Sequence, residues 1–421
     1  MTELLAIRDY RWYWLGRTVS GLGDAVVPAA LALAVVIATG SASALGLVLT
    51  CALVPRLVLL PLGGAAADRI SRRAVLLAAD LVHCGVQLGT GLLLLAGHVN
   101  LPAIAALAAA GGVATAFASP ATGPLVADVV PADGPRQQAN GFMGVSRSVA
   151  SVLGPSVAGA FVLTVGPGWA FVLDAASFVI GAITLAAIRP AARETVGEVR
   201  QPLRRDLVEG WSELRRHRWY WTNLVGHATW NFGYGVLQTL GPVVAVRALG
   251  GKGAWILILE AGAIGVLVGS LLAVRARPRR PLVAANLGLA LLVLPLALAA
   301  ASAPAWAVAV AMAAGQGGVG YLNPIWSTTM QRHIPAAALS RVDAYDWLVS
   351  LGAMPLGLAL AGPAAAATGT AAPLLLAAVL VAATSLGVLA VRDVRDLPGI
   401  PAVPEPAVPE PAEPALAAEP T

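Results

Sequence analysis

Charged residues are scarce in this chain, and their scarcity limits what kind of protein it can be. Only 12% of the 421 residues are Asp, Glu, Lys or Arg, whereas 58% are hydrophobic. An average soluble domain is about 25% charged. A water-soluble fold of this length could not bury so much apolar surface. The composition therefore indicates a protein embedded in a membrane.

Several kinds of functional site are missing as well. The two cysteines, Cys51 and Cys84, both lie within apolar stretches, so no disulfide framework is indicated. The sequence contains no Gly-x-x-x-x-Gly-Lys-Ser/Thr phosphate loop, which argues against ATP as an energy source. Gly315–Gly320 fits the dinucleotide fingerprint, but no strand precedes it, so helix packing is the favoured interpretation. With no metal-ligand cluster and no nucleophile beside a base, we expect no enzymatic activity, no cofactor and no metal.

The chain does contain a long internal repeat. The sequence Arg-Trp-Tyr-Trp occurs at Arg11–Trp14 and again, 207 residues later, at Arg218–Trp221, each time at the start of a long apolar stretch. Similarity at a fixed long period indicates a duplicated architecture, which is typical of membrane transporters. Runs of about 20 apolar residues, enough to cross a bilayer, begin near Trp12, Ala44, Ala74, Leu101, Ala139, Gly168, Tyr220, Ala254, Leu282, Ala305, Ala338 and Ala371.

These runs predict an all-α integral membrane protein with twelve transmembrane helices in two pseudo-symmetric six-helix bundles. The predicted domains are the first bundle at 1–188, a cytoplasmic linker with an amphipathic helix at 189–218, the second bundle at 219–395, and a disordered Pro/Glu/Ala tail at 396–421. The linker helix fits the inner membrane surface and a solvated connection equally well. The repeated Ala-Val-Pro-Glu-Pro of the tail is typical of extended, disordered chain.

The distribution of basic residues predicts the orientation. If the N-terminus is cytoplasmic, most Lys and Arg fall in cytoplasmic loops, and only Arg247 and Lys252 fall outside. Basic loops stay on the cytoplasmic side, so we expect a multi-pass protein of the plasma membrane with both termini in the cytoplasm. The formal charge of +5 then reflects topology and not nucleic-acid binding. We expect a monomer whose partners are the lipid bilayer, a small molecule and a coupling ion.

One segment resembles a processing site. Ala38–Ala44 is rich in small residues and follows an apolar run, as a signal-peptidase site does. The run is long for a signal peptide, however, and cleavage would remove the first helix of the repeat. We therefore expect the segment to stay uncleaved.

Ionisable residues at bilayer depth are costly, so each is a functional candidate. Arg17 and Asp24 lie seven residues apart on one face of the first helix, and a carboxyl group there can exchange a proton. The alternative is a structural ion pair of Asp24 with Arg17 or Arg56. Glu260 in the eighth helix is a second protonatable candidate, and it could equally pair with a basic residue. Asp174 begins near the outer surface, which favours a packing or interfacial role.

The seventh helix carries a polar and aromatic stripe. Its residues recur at intervals of three, four or seven, so they share one helical face: Asn223, His227, Trp230, Asn231, Tyr234 and Gln238. Lipid does not stabilise such a face, which predicts a water-filled cavity where rings and amides meet an amphipathic substrate. A thinner stripe on the tenth helix consists of Gln316, Asn323, Trp326 and Ser327.

Two short motifs complete the pattern. The loop after the second helix combines small residues with charge, at Gly64, Asp68, Arg69, Arg72 and Arg73. This loop resembles the signature loop of the major facilitator superfamily. In the fifth helix, Arg147 precedes Gly154-Pro155 and Gly159, which is similar to the Gly-Pro motif in the exporting, proton-antiport members of that superfamily.

With Asp24 and Asp80, the chain most resembles the drug/proton antiporter branch that includes macrolide and enterobactin exporters. The resemblance implies proton-coupled efflux of small amphipathic molecules by alternating access, with Arg147 near the coupling site. Two alternatives remain open, an importer of the same fold and a non-transporting sensor or scaffold.

Overall fold

The described part of the chain is helical throughout. A computed structural model describes residues 2–97, 99–131, 135–189, 211–212, 214–276, 278–335, 342, 345–346 and 348–398. The predicted linker helix is described only at 211–212 and 214–216, which are helical, and almost all of the predicted tail lies outside the described residues.

The first six long helices are α1 Arg8–Thr39, α2 Ala42–Arg69, α3 Arg72–Leu95, α4 Leu101–Val129, α5 Arg136–Thr164 and α6 Pro167–Ala187. A second set of six comprises α7 Arg218–Ala248, α8 Lys252–Arg275, α9 Pro281–Ala300, α10 Ala305–His333, α11 Leu348–Thr368 and α12 Ala371–Gly387. Short helices at Thr2–Ala6 and Arg392–Arg395 flank them. Over the described residues, the all-α fold of twelve helices in two bundles is confirmed.

Local chemistry sets several helix ends. Ser41 caps α2 by accepting a hydrogen bond from the Ala44 amide, and Asn100 caps α4 in the same way through Ala103. At the end of α1, Gly40 adopts a left-handed conformation with φ 61°, which glycine tolerates best. Between Ala290 and Val293, α9 is interrupted by a turn that the apolar pattern did not predict.

Eleven of the twelve helices are long and apolar enough to cross a bilayer. The twelfth, α7, has 31 residues but is less apolar than the others, because it carries the polar stripe. This protein is therefore a multi-pass membrane protein whose seventh span is polar on one face.

Helix packing repeats from one half to the other. In the first half α1 packs on α5 and α6, α2 on α4, and α3 on α4 and α6. The same pairs, shifted by six helices, recur in the second half. Between the halves α2 packs on α11, and α5 packs on α8. The two bundles are thus related by an approximate two-fold axis, although the four domain boundaries remain predictions.

Candidate functional site

A buried ion pair lies at the base of a cavity in the first half. Arg17 of α1 donates a hydrogen bond to a carboxylate oxygen of Asp80 of α3, and their side chains are only 13% and 2% exposed. The cavity beside this pair, about 480 Å³, is lined by helices α1 to α6. A buried charge is tolerated when an opposite charge compensates it, so the pair fixes α1 against α3.

Asp24 lies farther along the same face of α1, and its side chain is exposed to the cavity. It forms no ion pair and accepts no hydrogen bond from any residue that the structure describes. Arg17 pairs with Asp80 across the bundle and not with Asp24. Asp24 is therefore a carboxyl group at mid-helix depth that lines the cavity without a hydrogen-bonded partner among the described residues, although the charges of Arg17 and Arg56 act on it.

A second cavity, of about 230 Å³, meets the first one at Asp24. Four side chains line both cavities: Asp24, Arg56, His83 and Thr115. The larger cavity extends to Met143, two turns into α5, and the smaller one extends to Ile104, one turn into α4. The starts of α4 and α5 lie at opposite ends of the bundle, so the two cavities extend towards opposite sides of it and share these four residues.

His83 also lines both cavities. Its ring stacks on Phe178, with centroids 4.8 Å apart, and one ring nitrogen lies 3.3 Å from the Thr115 hydroxyl. This contact orients the imidazole towards the cavity. The amino-acid pattern of α3 alone assigns no role to His83, because its place beside Asp24 depends on how α3 packs against α1.

Asp174 is fully buried and not interfacial. It accepts hydrogen bonds from Gln87 at 2.7 Å and from Ser177 at 3.0 Å. Gly23 of α1 packs directly against this carboxyl group, where any larger side chain would collide with it. Asp174 of α6 thus contacts both α3 and α1, and its contact on α1 is Gly23, the residue before Asp24.

The motif of Gly154, Pro155 and Gly159 allows α5 to pack between the two halves. A methyl group at Gly154 would overlap the backbone of Ala25 in α1, and Gly159 lies against Ile256 of α8. Between these contacts, Ser156 donates a hydrogen bond of 2.8 Å to the Glu260 carboxylate. Glu260 therefore lies at the interface of the halves, whereas Arg147 lines the first-half cavity.

The loop between α2 and α3 is fastened by its arginines. Arg72 forms an ion pair of 2.8 Å with Asp128 of α4. Arg73 donates hydrogen bonds of 2.7 and 2.6 Å to the carbonyls of Leu185 and Ala186, at the C-terminal end of α6, where a cation is favourable. Arg69 is exposed, nothing packs on Gly64, and the side chain of Asp68 lies outside the described residues.

The polar stripe of α7 divides between a cavity and the protein interior. A cavity of about 210 Å³ is lined by His227, Trp230 and Asn231 of α7, together with Asn323 and Trp326 of α10. Two turns earlier the stripe faces α9 instead, because Asn223 accepts a hydrogen bond of 2.7 Å from the buried Asn286.

The rest of the stripe lies deeper in the second half. Tyr234 accepts a hydrogen bond of 3.3 Å from Gln316 and stacks on Trp230. Gln238 is half-buried, and Ser327 of α10 is exposed. The predicted cavity face of α7 is therefore narrower than the stripe itself.

Sequence reasoning missed one acidic residue in this cavity, Asp346. Trp326 donates an indole hydrogen bond of 3.0 Å to its carboxylate, and Ser350 donates one of 3.3 Å. The ring of His227 lies 3.8 Å from the same carboxylate. Asp346 falls inside the apolar run predicted from Ala338, so the rule that selected Asp24 and Glu260 could have found it. Within the described residues, no three His, Cys, Asp or Glu side chains form a metal-binding group.

Comparisons with known proteins agree with this architecture. Macrolide efflux protein A of Streptococcus pyogenes is 26% identical over 263 residues, which are 62% of this chain and 64% of that protein. The chain thus spans less than two thirds of the length of this relative.

Solved structures show the same fold. The nucleoside transporter NupG matches with a TM-score of 0.71 at 11% identity, covering 92% of this chain and 98% of NupG. A bacterial homolog of the human lysosomal transporter Spinster matches with a TM-score of 0.64 at 18% identity, covering 92% and 95% of the two chains. The model of the Major Facilitator Superfamily matches residues 13–345, which is most of the chain. This match explains the repeat of six helices and the motifs in α2, α3 and α5. This protein belongs to the Major Facilitator Superfamily.

Proposed function

We propose that this protein is a proton-coupled exporter of small amphipathic molecules that works by alternating access of its two halves. The observation that carries the proposal is the position of Asp24, a carboxyl group without a partner among the described residues, at the junction of two cavities. A carboxyl group in contact with both cavities can receive a proton from one side of the membrane and release it to the other. The distribution of basic residues supports cytoplasmic termini in a plasma-membrane protein, and we propose that it acts as a monomer.

The second half supplies the substrate site in this proposal. The rings of Trp230, Trp326 and His227 line its cavity, and Asn231 and Asn323 add amide groups. Flat apolar surfaces with a few polar groups are typical of sites for amphipathic small molecules. Export as the direction is supported by the α5 motif and by the similarity to Macrolide efflux protein A. The importer and the non-transporting scaffold make different predictions in the experiment below.

The proposal is tested by transport in everted membrane vesicles. A susceptibility screen of a deletion strain first identifies a compound that the protein removes from cells. Vesicles that contain the wild-type protein should accumulate this compound when a proton gradient is imposed and lose it when the gradient is collapsed. Asp24→Asn removes the titratable group at nearly constant size. We expect it to reduce gradient-driven accumulation to the level of collapsed vesicles while exchange of compound across the membrane continues.

Asp9→Asn is the matched control, since Asp9 lies on the same helix but outside both cavities. This variant should accumulate the compound like wild type. Normal gradient-driven accumulation by Asp24→Asn would refute the coupling role. Accumulation only in right-side-out vesicles would indicate an importer, and no exchange in either orientation would indicate a scaffold.

A further inference from the structure

The carboxylate of Asp346 is held in place by uncharged hydrogen-bond donors. Its hydrogen-bond donors, the Trp326 indole and the Ser350 hydroxyl, are both uncharged. No Lys or Arg that the structure describes pairs with it, and the nearest basic group is the His227 ring at 3.8 Å. Neutral donors fix the direction of a carboxylate but leave its negative charge available to a ligand.

Rigid aromatic rings surround this charge. Trp326 stacks on Tyr220 at 5.1 Å and meets the edge of Trp219 at 5.7 Å. Within the cavity, His227 contacts Trp326 edge-on at 4.7 Å. Because each ring packs on another, the rings lose little conformational freedom when a ligand binds.

Two buried polar atoms on residues that line this cavity lack a hydrogen-bond partner among the described residues. They are Nε2 of His227 and Nε1 of Trp230, whose side chains are more than nine-tenths buried. A buried polar atom without a partner destabilises the unliganded protein. Both atoms are inaccessible to water here, so a ligand would reach them only after these side chains shift.

We propose that this cavity binds the protonated amine or quaternary ammonium head group of an organic cation. Asp346 supplies the counter-charge, and the rings of Trp230 and Trp326, which line the cavity, attract cations through their negative π-faces. The cavity measures about 210 Å³, whereas sites for drug-sized ligands measure roughly 300–1,000 Å³. The head group therefore enters the cavity while the apolar remainder of the molecule stays in the space between the halves.

The inference rests on the proposed function only in placing the substrate in the second half, so its test uses binding and no gradient. The probe is trimethyl(2-naphthylmethyl)ammonium, and its neutral carbon isostere is 2-neopentylnaphthalene. Binding of both to the purified full-length protein in detergent is measured by isothermal titration calorimetry. We expect the cation to bind at least about 10-fold more tightly than the isostere, since the two differ only in charge.

Asp346→Asn keeps the side-chain size and should weaken cation binding by about 10-fold or more without changing binding of the isostere. Asp346→Glu should retain the preference for the cation, and Asp9→Asn should bind like wild type. If Asp346→Asn fails to fold, Trp230→Leu tests the same site and should lower cation affinity more than isostere affinity.

Equal binding of cation and isostere to the wild-type protein would overturn the inference. Unchanged cation binding by Asp346→Asn, or by Trp230→Leu where that variant is needed, would do the same. Cation binding together with absent gradient-driven transport would refute the proposed function and leave the cation site standing. Gradient-driven transport of neutral compounds without cation binding would refute only the cation site.

Discussion

At the residue scale, the first half separates two roles that the sequence places on one helical face. Arg17 and Asp24 are seven residues apart, but Arg17 is neutralised by Asp80 of α3 and Asp24 is not. Because the buried pair already satisfies the arginine, Asp24 is free to change its protonation state without breaking it. The arginine then acts as a fixed positive charge near the cavity.

Removing only Asp80 from the ion pair with Arg17 should destabilise the protein more than replacing both residues does. Asp80→Asn leaves Arg17 as an uncompensated buried charge, which typically costs about 3–5 kcal/mol. The double variant with Arg17→Gln removes that charge and should recover a large part of the loss. Thermal unfolding in detergent measures both effects. The control is the exposed ion pair of Arg395 and Asp396. There, Asp396→Asn should change the free energy of unfolding by no more than about 0.5 kcal/mol. A single and a double variant of equal stability would contradict this account.

The sequence predicts which residues share a cavity wall when those residues lie on a single helix. The spacing on α1 placed Arg17 and Asp24 on one cavity wall, and the stripe on α7 placed His227 and Trp230 on another. Spacing alone could not show that Asn223 turns to Asn286, because that choice depends on the distance between α7 and α9.

At the element scale, small residues set how closely helices approach. In the second half, Gly265 and Gly269 of α8 lie against the backbone of Ala313 and Gly317 in α10. The equivalent helices of the first half use the same device, since Gly63 of α2 lies against Ala116 of α4. The glycine run of α10 thus serves helix packing, as predicted. In a bilayer the hydrophobic effect does not drive helices together, so close packing of this kind is a main source of helix association.

A single methyl group should therefore separate α8 from α10. In Gly269→Ala the new Cβ would overlap the Gly317 carbonyl oxygen, which belongs to the backbone and cannot rotate away. Overpacking of this kind costs roughly 1–3 kcal/mol. Gly253→Ala on the same helix meets nothing within 4 Å and should be neutral or slightly stabilising. Melting temperatures in detergent compare the two, and equal melting temperatures would contradict the packing argument.

The helices themselves were largely predictable, because the bilayer requires long apolar runs. The exceptions have physical causes. α7 is less apolar than the other spans, yet its position follows from the repeat of Arg11–Trp14 at Arg218–Trp221. The turn between Ala290 and Val293 lies in a uniformly apolar run, where hydrophobicity carries no signal of a break.

At the scale of the whole molecule, the halves meet at one end of the helices. Arg247, in the last turn of α7, donates a hydrogen bond of 2.6 Å to the Gly40 carbonyl at the end of α1. Lys252 at the start of α8 donates one of 3.3 Å to Val162 near the end of α5. These contacts all lie at the end of the bundle opposite the arginines that follow α2. The proposed alternating access requires this end to open, so it predicts that the contacts between α5 and α8 separate during transport.

A disulfide across this interface should therefore stop transport. A Cβ at Gly159 would lie 2.9 Å from two side-chain carbons of Ile256, so cysteines at both positions are close enough to bond. In a protein whose Cys51 and Cys84 are replaced by alanine, oxidation of Gly159→Cys/Ile256→Cys should abolish exchange of the substrate, and reduction should restore it. Exchange in proteoliposomes is measured before and after each treatment.

The matched control is a disulfide within one half. Gly262 of α8 and Met312 of α10 face each other, with a Cβ at Gly262 placed 3.2 Å from the Met312 side chain. Because each half moves as a unit in a rocking mechanism, oxidation of Gly262→Cys/Met312→Cys should leave exchange intact. If both disulfides block exchange, the motion lies within a half and not between halves. If neither blocks it, the contact between α5 and α8 does not open during transport, and alternating access must use a different interface.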